Sequence, residues 1–391
     1  MRSKIRKPAF AVPLLMAGAF ISVGKTQPTA KWADSAAGWH RSQKSRQSIV
    51  GPRAVFSDTS PPLPINPLWA DLIGEYGPDH QEVYVLERDA QLGLLLGRSL
   101  FVPLQPLTSA KPESQLVPKP SPHLISASSF ESTGPGSHSG ERIAFLRDSQ
   151  NVVTGLCWKG TLYPRRSVDA PGQIFRAKLV RPVEQLRQEA LAHRPPTEGG
   201  SFLKPDLVEL TSIDPSIKLE IRYATSHNFV GAPLYSEPRA FLQRPAALAL
   251  AAASQRFHVL GYGLVVYDSY RPWYITKMFW DGVPKKERIF VANPRKGSRH
   301  NRGCAVDLTL YDLKTGLPVE MTGGFDEMSE RSYPTYPGGT SLARWHRDLL
   351  RQVMESEGFT VNKYEWWHFD YRNWQRYPIL NLTFETLENP S

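Results

Sequence analysis

The sequence predicts an α+β fold, in which a small β-rich domain precedes a mainly antiparallel sheet with helices packed on one side. Three observations lead to this prediction. Short apolar runs with strand-like alternation lie between residues 68 and 166, runs with helical spacing follow them, and further short strand-like runs lie between those helices. Helices on one side of a mainly antiparallel sheet are typical of the α+β class.

The first residues have the pattern of an export signal. Four basic residues precede an apolar run from Ala9 to Gly24, and these 16 residues are fewer than the ~20 needed to span a bilayer comfortably. We therefore predict a signal peptide over residues 1–24 and an exported protein, periplasmic or extracellular. An uncleaved membrane anchor and an extension without a targeting role are the alternatives. Residues 25–67, rich in Ser, Ala, Lys and Arg, are predicted to form a flexible tether.

Residues 68–166 are predicted to form the β-rich domain. Alternating apolar runs indicate strands over residues 82–86, 92–96, 143–146 and 152–156. A long loop inside the domain is marked by Pro103, Pro106, Pro112, Pro118, Pro120 and Pro122. The segments 72–77 and 160–165 resemble the β-rich domain appended to serine β-lactamase-like proteins, and this resemblance implies no catalytic residue.

A linker and then a second, larger domain follow. Within the predicted linker, residues 167–204, apolar residues recur at helical spacing over 182–192, so we expect a helix there. Two consecutive prolines, Pro195 and Pro196, end that helix. Residues 205–391 are predicted to form the second, larger domain.

Two longer helices are predicted in this larger domain. An Ala-rich helix over residues 245–260 is capped by Gly261 and leads into a strand over residues 264–267. A second helix over residues 341–357 ends at Gly358. Its apolar face is predicted to carry Leu342, Trp345, Leu349 and Val353.

The distribution of charge argues against nucleic acid as a partner. The chain has 391 residues, of which 41% are hydrophobic, and this length is enough for two domains. Its formal net charge is +10, but residues 1–60 hold ten Lys or Arg against Asp34 and Asp58. The first 60 residues therefore carry +8 and the remaining 331 carry only +2. Because the folded part is nearly balanced, a nucleic-acid-binding function is not indicated.

Two short motifs supply three candidate metal ligands and one spare carboxylate. His300 and Asp307 lie in Ser-Arg-His-Asn-Arg-Gly-Cys-Ala-Val-Asp, and Glu365 and His368 lie in Glu-Trp-Trp-His. Catalytic zinc sites take three protein ligands and leave a position for water. The sequence therefore predicts one Zn²⁺ per chain, held by His300, Asp307 and His368, with Glu365 as the general base.

The spacing within both motifs requires bends in the backbone. His300 and Asp307 are seven residues apart, and Glu365 and His368 are three apart, so each pair would face opposite sides of an unbroken strand. We expect a bend at Arg302-Gly303, with Asp307 on a strand over residues 305–309. A bulge or strand end near Trp366 would serve the second pair.

The two cysteines are predicted to be buried. Cys304 lies between two candidate ligands, but its small apolar side chain is expected to pack beneath the site and not to bind the metal. A disulfide with Cys157 would be feasible in an oxidising compartment, but two cysteines in a chain of this size do not make a disulfide framework.

The motifs resemble those of the zinc D-alanyl-D-alanine dipeptidase family. The resemblance runs from about Val208 to Tyr377 and includes three further matches in the right order. These are Ile-Arg-Tyr-Ala-Thr with Asn-Phe over residues 221–229, Asp-Ser-Tyr-Arg-Pro over 268–272, and Phe-Asp at 325–326 followed by Glu-Arg-Ser at 330–332. It implies a hydrolase that cleaves D-Ala-D-Ala or a related small peptide derived from peptidoglycan.

The resemblance also implies roles for single residues around the metal. Zn²⁺ polarises the scissile carbonyl and positions the attacking water. Glu365 takes the proton of that water and hands it to the leaving amine, a role that suits a carboxylate with a raised pKa in a dry aromatic setting. The tryptophan pair that follows Glu365 is expected to provide that setting.

Four further residues are implied to contact the substrate. Arg271 faces the developing oxyanion, where a guanidinium that cannot deprotonate is well suited. Asp326 receives the substrate's free ammonium group, and Tyr223 assists it. Ser298 is expected to touch the substrate near its carboxylate.

Two other functions stay open on the sequence alone. A D,D-carboxypeptidase or another wall endopeptidase that trims longer muropeptides would use the same ligands, although the Asp326 carboxylate favours a free ammonium over an extended acyl chain. A wall-binding or sensor protein with a vestigial zinc site is the non-catalytic alternative, but every catalytic position is filled. Membrane contact is expected only through the signal or an uncleaved anchor.

Overall fold

The computed structural model describes residues 60–107, 126–134, 138–166 and 174–388. The predicted signal peptide and residues 25–59 of the predicted tether lie outside these residues. Within the described ranges, no helix combines the length and hydropathy needed to cross a bilayer. The domain boundaries drawn from the sequence stay predictions, whereas the α+β fold class is confirmed.

The N-terminal part is an antiparallel sheet of eight strands in chain order, which closes into a near-barrel. Closure comes from two backbone hydrogen bonds of 2.8 Å, in which Gly77 donates to Pro164 and Arg166 donates to Glu75. Leu94, Phe145 and Leu156 lie in its core. The strands are β1 (Gly74–Tyr76), β2 (Val83–Arg88), β3 (Gln91–Leu96), β4 (Leu100–Pro106), β5 (Ser126–Ser132), β6 (Arg142–Arg147), β7 (Val153–Trp158) and β8 (Thr161–Pro164).

The prediction of a long loop marked by six prolines is wrong for the first two of them. Pro103 and Pro106 belong to β4, whereas the other four marked prolines lie outside the described residues. Pro103 is the last residue of β4 paired with β3, and Leu104 is the first paired with β5. A strand tolerates proline where its ladder is interrupted, so the change of partner at this point explains the error.

The C-terminal part contains a mixed sheet of five strands in the order β10-β12-β13-β15-β14. β10 runs parallel to β12 and every other pair is antiparallel. The strands are β10 (Lys218–Leu219), β12 (Tyr262–Asp268), β13 (Ala305–Asp312), β14 (Phe359–Asn362) and β15 (Glu365–Tyr371). Two short strands, β9 (Leu207–Glu209) and β11 (Phe241–Gln243), form a separate antiparallel pair.

Helices cover one face of the mixed sheet and leave the other for the functional groups. Val306 and Leu308 of β13 lie in the main apolar core with residues of α3 and α5, whereas Asp307 between them faces the opposite side. The helices are α1 (Val183–Leu191), α2 (Leu210–Ile213), α3 (Arg244–Val259), α4 (Trp273–Gly282), α5 (Ser341–Ser356) and α6 (Phe384–Glu388). Helix α4 was not predicted.

The predicted apolar face of α5 is only half correct. Leu349 and Val353 are buried, but Leu342 is 38% exposed and Trp345 is only partly buried. The buried stripe instead passes through Ala343, His346 and Leu350 in the first three turns, and it includes Arg347 and Met354. Counting apolar residues alone missed a stripe that contains two basic side chains.

Candidate metal centre

Three side chains converge on one point at the end of the mixed sheet. His300, Asp307 and His368 offer ligand atoms that all lie within 4.8 Å of one another. The His300 Nε2 and His368 Nδ1 atoms are 3.1 Å apart, and the Asp307 Oδ1 atom lies 3.3 Å and 3.0 Å from them. The sequence-predicted ligand set is therefore assembled in the fold.

The strand register brings two of these ligands together. Asp307 of β13 pairs directly with His368 of β15. On the other side of β15, Val361 of β14 pairs with Phe369, but the next residue of β14, Asn362, pairs with Glu365. Strand β15 therefore has extra residues between these two pairs. The extra residues form a bulge, as predicted near Trp366, and let Glu365 and His368 serve one site.

A tight turn delivers the third ligand. His300 begins a 3-10 turn, His300–Arg302, which Gly303 ends in the left-handed conformation with φ of 64°. A Cβ at Gly303 would lie 2.4 Å from the Leu207 Cδ2 atom, so both the conformation and the space favour glycine. The bend predicted at Arg302-Gly303 is confirmed.

Acceptors behind the two imidazoles orient the rings. The His300 Nδ1 atom lies 2.6 Å from the Ser269 carbonyl oxygen, and the His368 Nε2 atom lies 2.9 Å from Asp370 Oδ1. Each acceptor takes the N–H of its ring, which leaves His300 Nε2 and His368 Nδ1 as the lone-pair donors. The Arg299 Nε atom in turn lies 3.3 Å from the Asp370 Oδ2 atom.

The donor set fits a divalent metal ion. Asp307 Oδ1 is buried and accepts no well-formed hydrogen bond from the described residues, although two ring nitrogens lie close to it. Burial opposes ionisation of Asp307, but the charge that His300 and His368 carry when they are protonated outweighs it and holds the pKa of this carboxyl far below its usual range. A bound cation would replace those protons and leave both rings neutral. Two neutral imidazoles and one carboxylate are a ligand set that suits zinc.

Glu365 stands beside the ligands without belonging to them. Its Oε2 atom lies 3.5 Å from His368 Nδ1 and accepts a hydrogen bond of 3.0 Å from the Asn362 amide. Burial raises the pKa of Glu365 to about 7, while His368 lowers it and Asp307 raises it further. A carboxyl with such a pKa exchanges protons near neutral pH.

Arg271 is fixed beneath the site by a buried carboxylate. Its Nε and Nη2 atoms lie 2.8 Å and 2.6 Å from Asp268 Oδ2, and Nη2 lies 3.6 Å from Asp307 Oδ2. Burial opposes the charge of Arg271, but Asp268 and its neighbours raise the pKa of the guanidinium well above its usual range. The guanidinium therefore keeps its charge and its direction.

Asp326 and Tyr223 form a second polar group in the same cavity. The Tyr223 hydroxyl donates to the Asp326 carboxylate, with both oxygens at 3.0 Å. Asp326 has a φ of 62°, a left-handed conformation that a residue other than glycine adopts infrequently and that often marks a functional position. Burial, followed by the Asp307 charge, raises the pKa of Asp326 well above its usual range.

One cavity of about 400 Å³ contains all eight residues that the sequence predicted. Ser298 is among them, but its hydroxyl also accepts the His300 N–H at 3.2 Å, so it supports the ligand turn. Trp367 lines the cavity with Glu365, whereas Trp366 faces a different cavity. Of the two tryptophans expected to surround the base, Trp367 therefore lies beside Glu365, and the Trp366 ring packs edge-on against Trp367 with the ring centres 5.4 Å apart.

Sequence reasoning missed two supporting carboxylates, Asp268 and Asp370. Asp268 was noted only as part of a motif, yet it binds Arg271 and accepts a hydrogen bond of 2.7 Å from the Tyr235 hydroxyl. Asp370 lies two residues after a ligand, and the spacing His-x-Asp on a strand was an available signal for a carboxylate near that ring.

Cys304 packs beneath the site, as predicted. It is fully buried, and its Sγ atom lies 3.5 Å from the Arg302 carbonyl oxygen instead of joining the ligand group. Cys157 is buried in the near-barrel, and no disulfide joins these two described residues.

Comparison with known proteins agrees with this geometry. The family model described as D-ala-D-ala dipeptidase matches residues 204–384. A D-alanyl-D-alanine dipeptidase of Escherichia coli (strain K12) is 37% identical over 185 residues, which are 47% of this chain and 94% of that protein. Enzymes of the same name from Enterococcus faecalis and Enterococcus faecium are 38% and 34% identical, over 85% and 92% of their lengths. The chain therefore belongs to the D-Ala-D-Ala dipeptidase family of metallopeptidases.

Proposed function

We propose that this chain hydrolyses D-alanyl-D-alanine to two molecules of D-alanine in peptidoglycan metabolism, with one zinc ion per chain. The observation that carries the proposal is the placement of the Asp326 carboxylate in the same cavity as the three ligands and Glu365. The names of the similar proteins support the same substrate.

His300, Asp307 and His368 are the residues that would hold the zinc ion. When bound there, Zn²⁺ supplies Lewis acidity, which polarises a carbonyl and acidifies a water molecule. The remaining steps of catalysis depend on side chains of this chain, and each difficulty of amide hydrolysis has a candidate group.

Glu365 is proposed to move the proton. Its Oε2 atom accepts a proton from the attacking water and returns it to the nitrogen of the leaving D-alanine, so the carboxyl ends the cycle as it began. The hydrogen bond from Asn362 keeps that oxygen directed into the cavity, and the Trp367 ring lines the same wall. A pKa of about 7 suits both halves of this transfer.

Arg271 is proposed to stabilise the negative charge that develops on the carbonyl oxygen. Its guanidinium is held by Asp268 and packs against the rings of Tyr223 and Phe279. The Cζ atom of Arg271 lies 5.2 Å and 4.9 Å from the centres of these two rings. A donor that is fixed before the reaction needs no reorganisation when the charge appears.

Asp326 is proposed to bind the free ammonium group of the dipeptide, with Tyr223 holding the carboxylate in place. A buried carboxylate favours a cation, and an N-acylated substrate brings none. This contact favours a dipeptidase over a carboxypeptidase that acts on longer wall peptides. Ser298, which lines the same cavity beside His300, is proposed to lie near the substrate carboxylate.

A substrate panel with metal analysis on the same sample tests the proposal. D-alanine should be released from D-Ala-D-Ala, the rate should fall after chelation and return with Zn²⁺, and N-acetyl-D-Ala-D-Ala should be a much poorer substrate. An L,D-dipeptide serves as the stereochemical control. A preference for the N-acetylated compound would replace the dipeptidase by a D,D-carboxypeptidase or endopeptidase, and the absence of both metal and hydrolysis would favour a binding protein.

We also propose that the protein acts after export. The support is the basic start and the 16-residue apolar run from Ala9 to Gly24. Fractionation of cells that express the full chain, with N-terminal sequencing of the product, tests this. An intact N-terminus in the cytoplasmic fraction would contradict export, and an intact N-terminus in the membrane fraction would indicate an anchor.

A further inference from the structure

The residues between β13 and α5 connect the metallopeptidase site to the near-barrel. We call residues 320–340 the recognition segment, because Asp326 lies in it. Apart from a short 3-10 turn, Glu330–Ser332, it contains no helix or strand of the described fold. Its position therefore depends on side-chain contacts and not on a backbone ladder.

The outer face of β2 and β3 provides an apolar contact for this segment. Tyr336 is 4% exposed and lies in a cluster with Tyr84, Leu86 and Leu95. The Tyr336 hydroxyl also donates to Glu75 Oε1 at 2.5 Å. Strand β2 is buried on both faces over its first five residues, as expected for a strand covered from outside as well as inside.

A second contact fixes the end of the recognition segment where α5 begins. Glu87 of β2 is 3% exposed and accepts a hydrogen bond from the Ser341 N–H, one of the amides that a helix start leaves unpaired. The Glu87 carbonyl oxygen accepts a hydrogen bond of 2.5 Å from Arg344. A carboxylate at this end of α5 is also favoured by the helix dipole.

Contacts inside the recognition segment connect the barrel side to Asp326. The Glu327 carboxylate accepts hydrogen bonds of 2.9 Å from the Gly324 N–H and 2.6 Å from the Ser329 hydroxyl. The Ser332 hydroxyl donates to the Glu327 carbonyl oxygen. Glu330, at the turn, forms an ion pair with Arg98 of the near-barrel. The residues on both sides of Asp326 are thus tied to the part that the barrel holds.

The Escherichia coli and Enterococcus relatives have little room for this support. The matched region makes up 94% of the Escherichia coli relative but 47% of this chain, so little of that relative remains for a further domain. That relative therefore has little chain left for a barrel that Tyr336 and Glu87 could contact, as they do in this chain.

We propose that the near-barrel is an internal support that fixes the recognition segment and so sets the position of Asp326 for the substrate's ammonium group. The inference deepens the proposed function and rests on it for its effect on specificity. Tyr336 is accordingly a positioning residue, because it lines no part of the catalytic cavity and acts through Asp326. The barrel supports substrate selection without contacting the substrate.

Variants of Tyr336 in the full chain test the proposal. Tyr336→Ala should raise KM for D-Ala-D-Ala about tenfold, with kcat within about twofold, because the loss affects binding and not the ligands. Metal content should be unchanged, and the preference for D-Ala-D-Ala over N-acetyl-D-Ala-D-Ala should fall. Tyr336→Phe, which removes only the bond to Glu75, should change KM in the same direction by less.

The matched control is Tyr76→Phe. The Tyr76 hydroxyl donates to the Leu72 carbonyl oxygen at 2.7 Å inside the barrel, so this variant loses one buried hydroxyl contact without touching the recognition segment. Its KM and substrate preference should equal those of the parent. An effect as large as that of Tyr336→Phe would attribute the result to barrel stability and overturn the proposal.

The decisive experiment tests whether Tyr336 acts through Asp326. In an Asp326→Asn background, Tyr336→Ala should no longer change KM, and an undiminished effect there would overturn the proposal. A folded Tyr336→Ala protein with unchanged KM and preference would do the same; if that variant does not fold, Tyr336→Phe decides.

Hydrogen exchange separates failure of this inference from failure of the proposed function. Amides of residues 324–333 should exchange faster in Tyr336→Ala than in the parent, while those of β13 should not. If the parent does not hydrolyse D-Ala-D-Ala, the proposed function fails. Hydrogen exchange alone then decides whether the barrel supports the recognition segment. Unchanged exchange over residues 324–333 would overturn it.

Discussion

The metal centre and the recognition segment are built in opposite ways. Asp307 and His368 are neighbours across a strand ladder, and His300 follows from a turn of three residues. Asp326 instead lies in a segment without a ladder, held by side chains that include a tyrosine packed on a different part of the chain. The metal centre depends on local backbone geometry, whereas the recognition group depends on distant contacts.

This difference indicates how the two halves of the function can change independently. In the proposed function, bond cleavage needs the ligands and Glu365 at fixed positions, and a sheet supplies such positions because its register is strongly specified. Substrate choice would depend on where Asp326 lies, and a segment held by side chains can be moved without disturbing the sheet. Each prediction below therefore separates an effect on chemistry from an effect on recognition.

The largest effect is expected from loss of a metal ligand. His368→Ala removes one of three ligand atoms, so the protein should lose its metal and its activity should fall to background. Metal analysis and D-alanine release on one sample measure both. His193→Ala, at an exposed histidine that follows α1, is the control and should retain both. Full activity of His368→Ala would contradict the assignment.

Arg271→Lys should lower kcat by about 10²–10³ while the metal stays bound, because an ammonium cannot pair with Asp268 and face the substrate carbonyl at once. Steady-state kinetics with metal analysis measure this. Arg244→Lys, at an exposed ion pair with Asp206, is the matched control and should behave as the parent. If Arg271→Lys changed only KM, Arg271 would be a binding residue.

Asp326→Asn should lower kcat/KM for D-Ala-D-Ala by about 30- to 100-fold, because the substrate's ammonium would lose its partner in a buried site. N-acetyl-D-Ala-D-Ala is the internal control, and its slow rate should be unchanged or higher. Equal losses on both substrates would show that Asp326 supports the site as a whole and does not select the free amine.

Asp370→Asn is expected to have the smallest effect on turnover. In this variant the His368 Nε2–H would still have an acceptor, but that acceptor would carry no negative charge. Metal affinity should therefore fall about 10–100-fold, while kcat at saturating metal stays near that of the parent. Competition with a chelator measures the affinity. An unchanged affinity would remove Asp370 from the metal centre.

The sequence was sufficient for the parts of the site that depend on near neighbours. The ligands follow from the residue types in two short motifs, whereas the bend at Gly303 and the bulge near Trp366 follow from the odd spacing on strands with alternating side chains, and the structure has all of them. Helix α3 begins and ends within one residue of its predicted limits, since its Ala-rich run and Gly261 are local signals.

The remaining features depend on partners that lie far away in the chain. Asp268 lies beside Asp307 because a shift in strand register between β12 and β13 pairs the two residues, which no spacing rule reveals. Pro103 lies in a strand because β4 changes partner there. Tyr336 and Glu75 are 261 residues apart, so their contact is accessible only through the fold.

The most direct test of the central claim is metal content and kcat of Glu365→Gln, measured on the same preparation. The claim is that His300, Asp307 and His368 hold the ion while Glu365 stays uncoordinated and moves the proton. It predicts metal content equal to that of the parent, with kcat lower by about 10³. Loss of the metal would make Glu365 a ligand, and retained turnover would exclude it as the base.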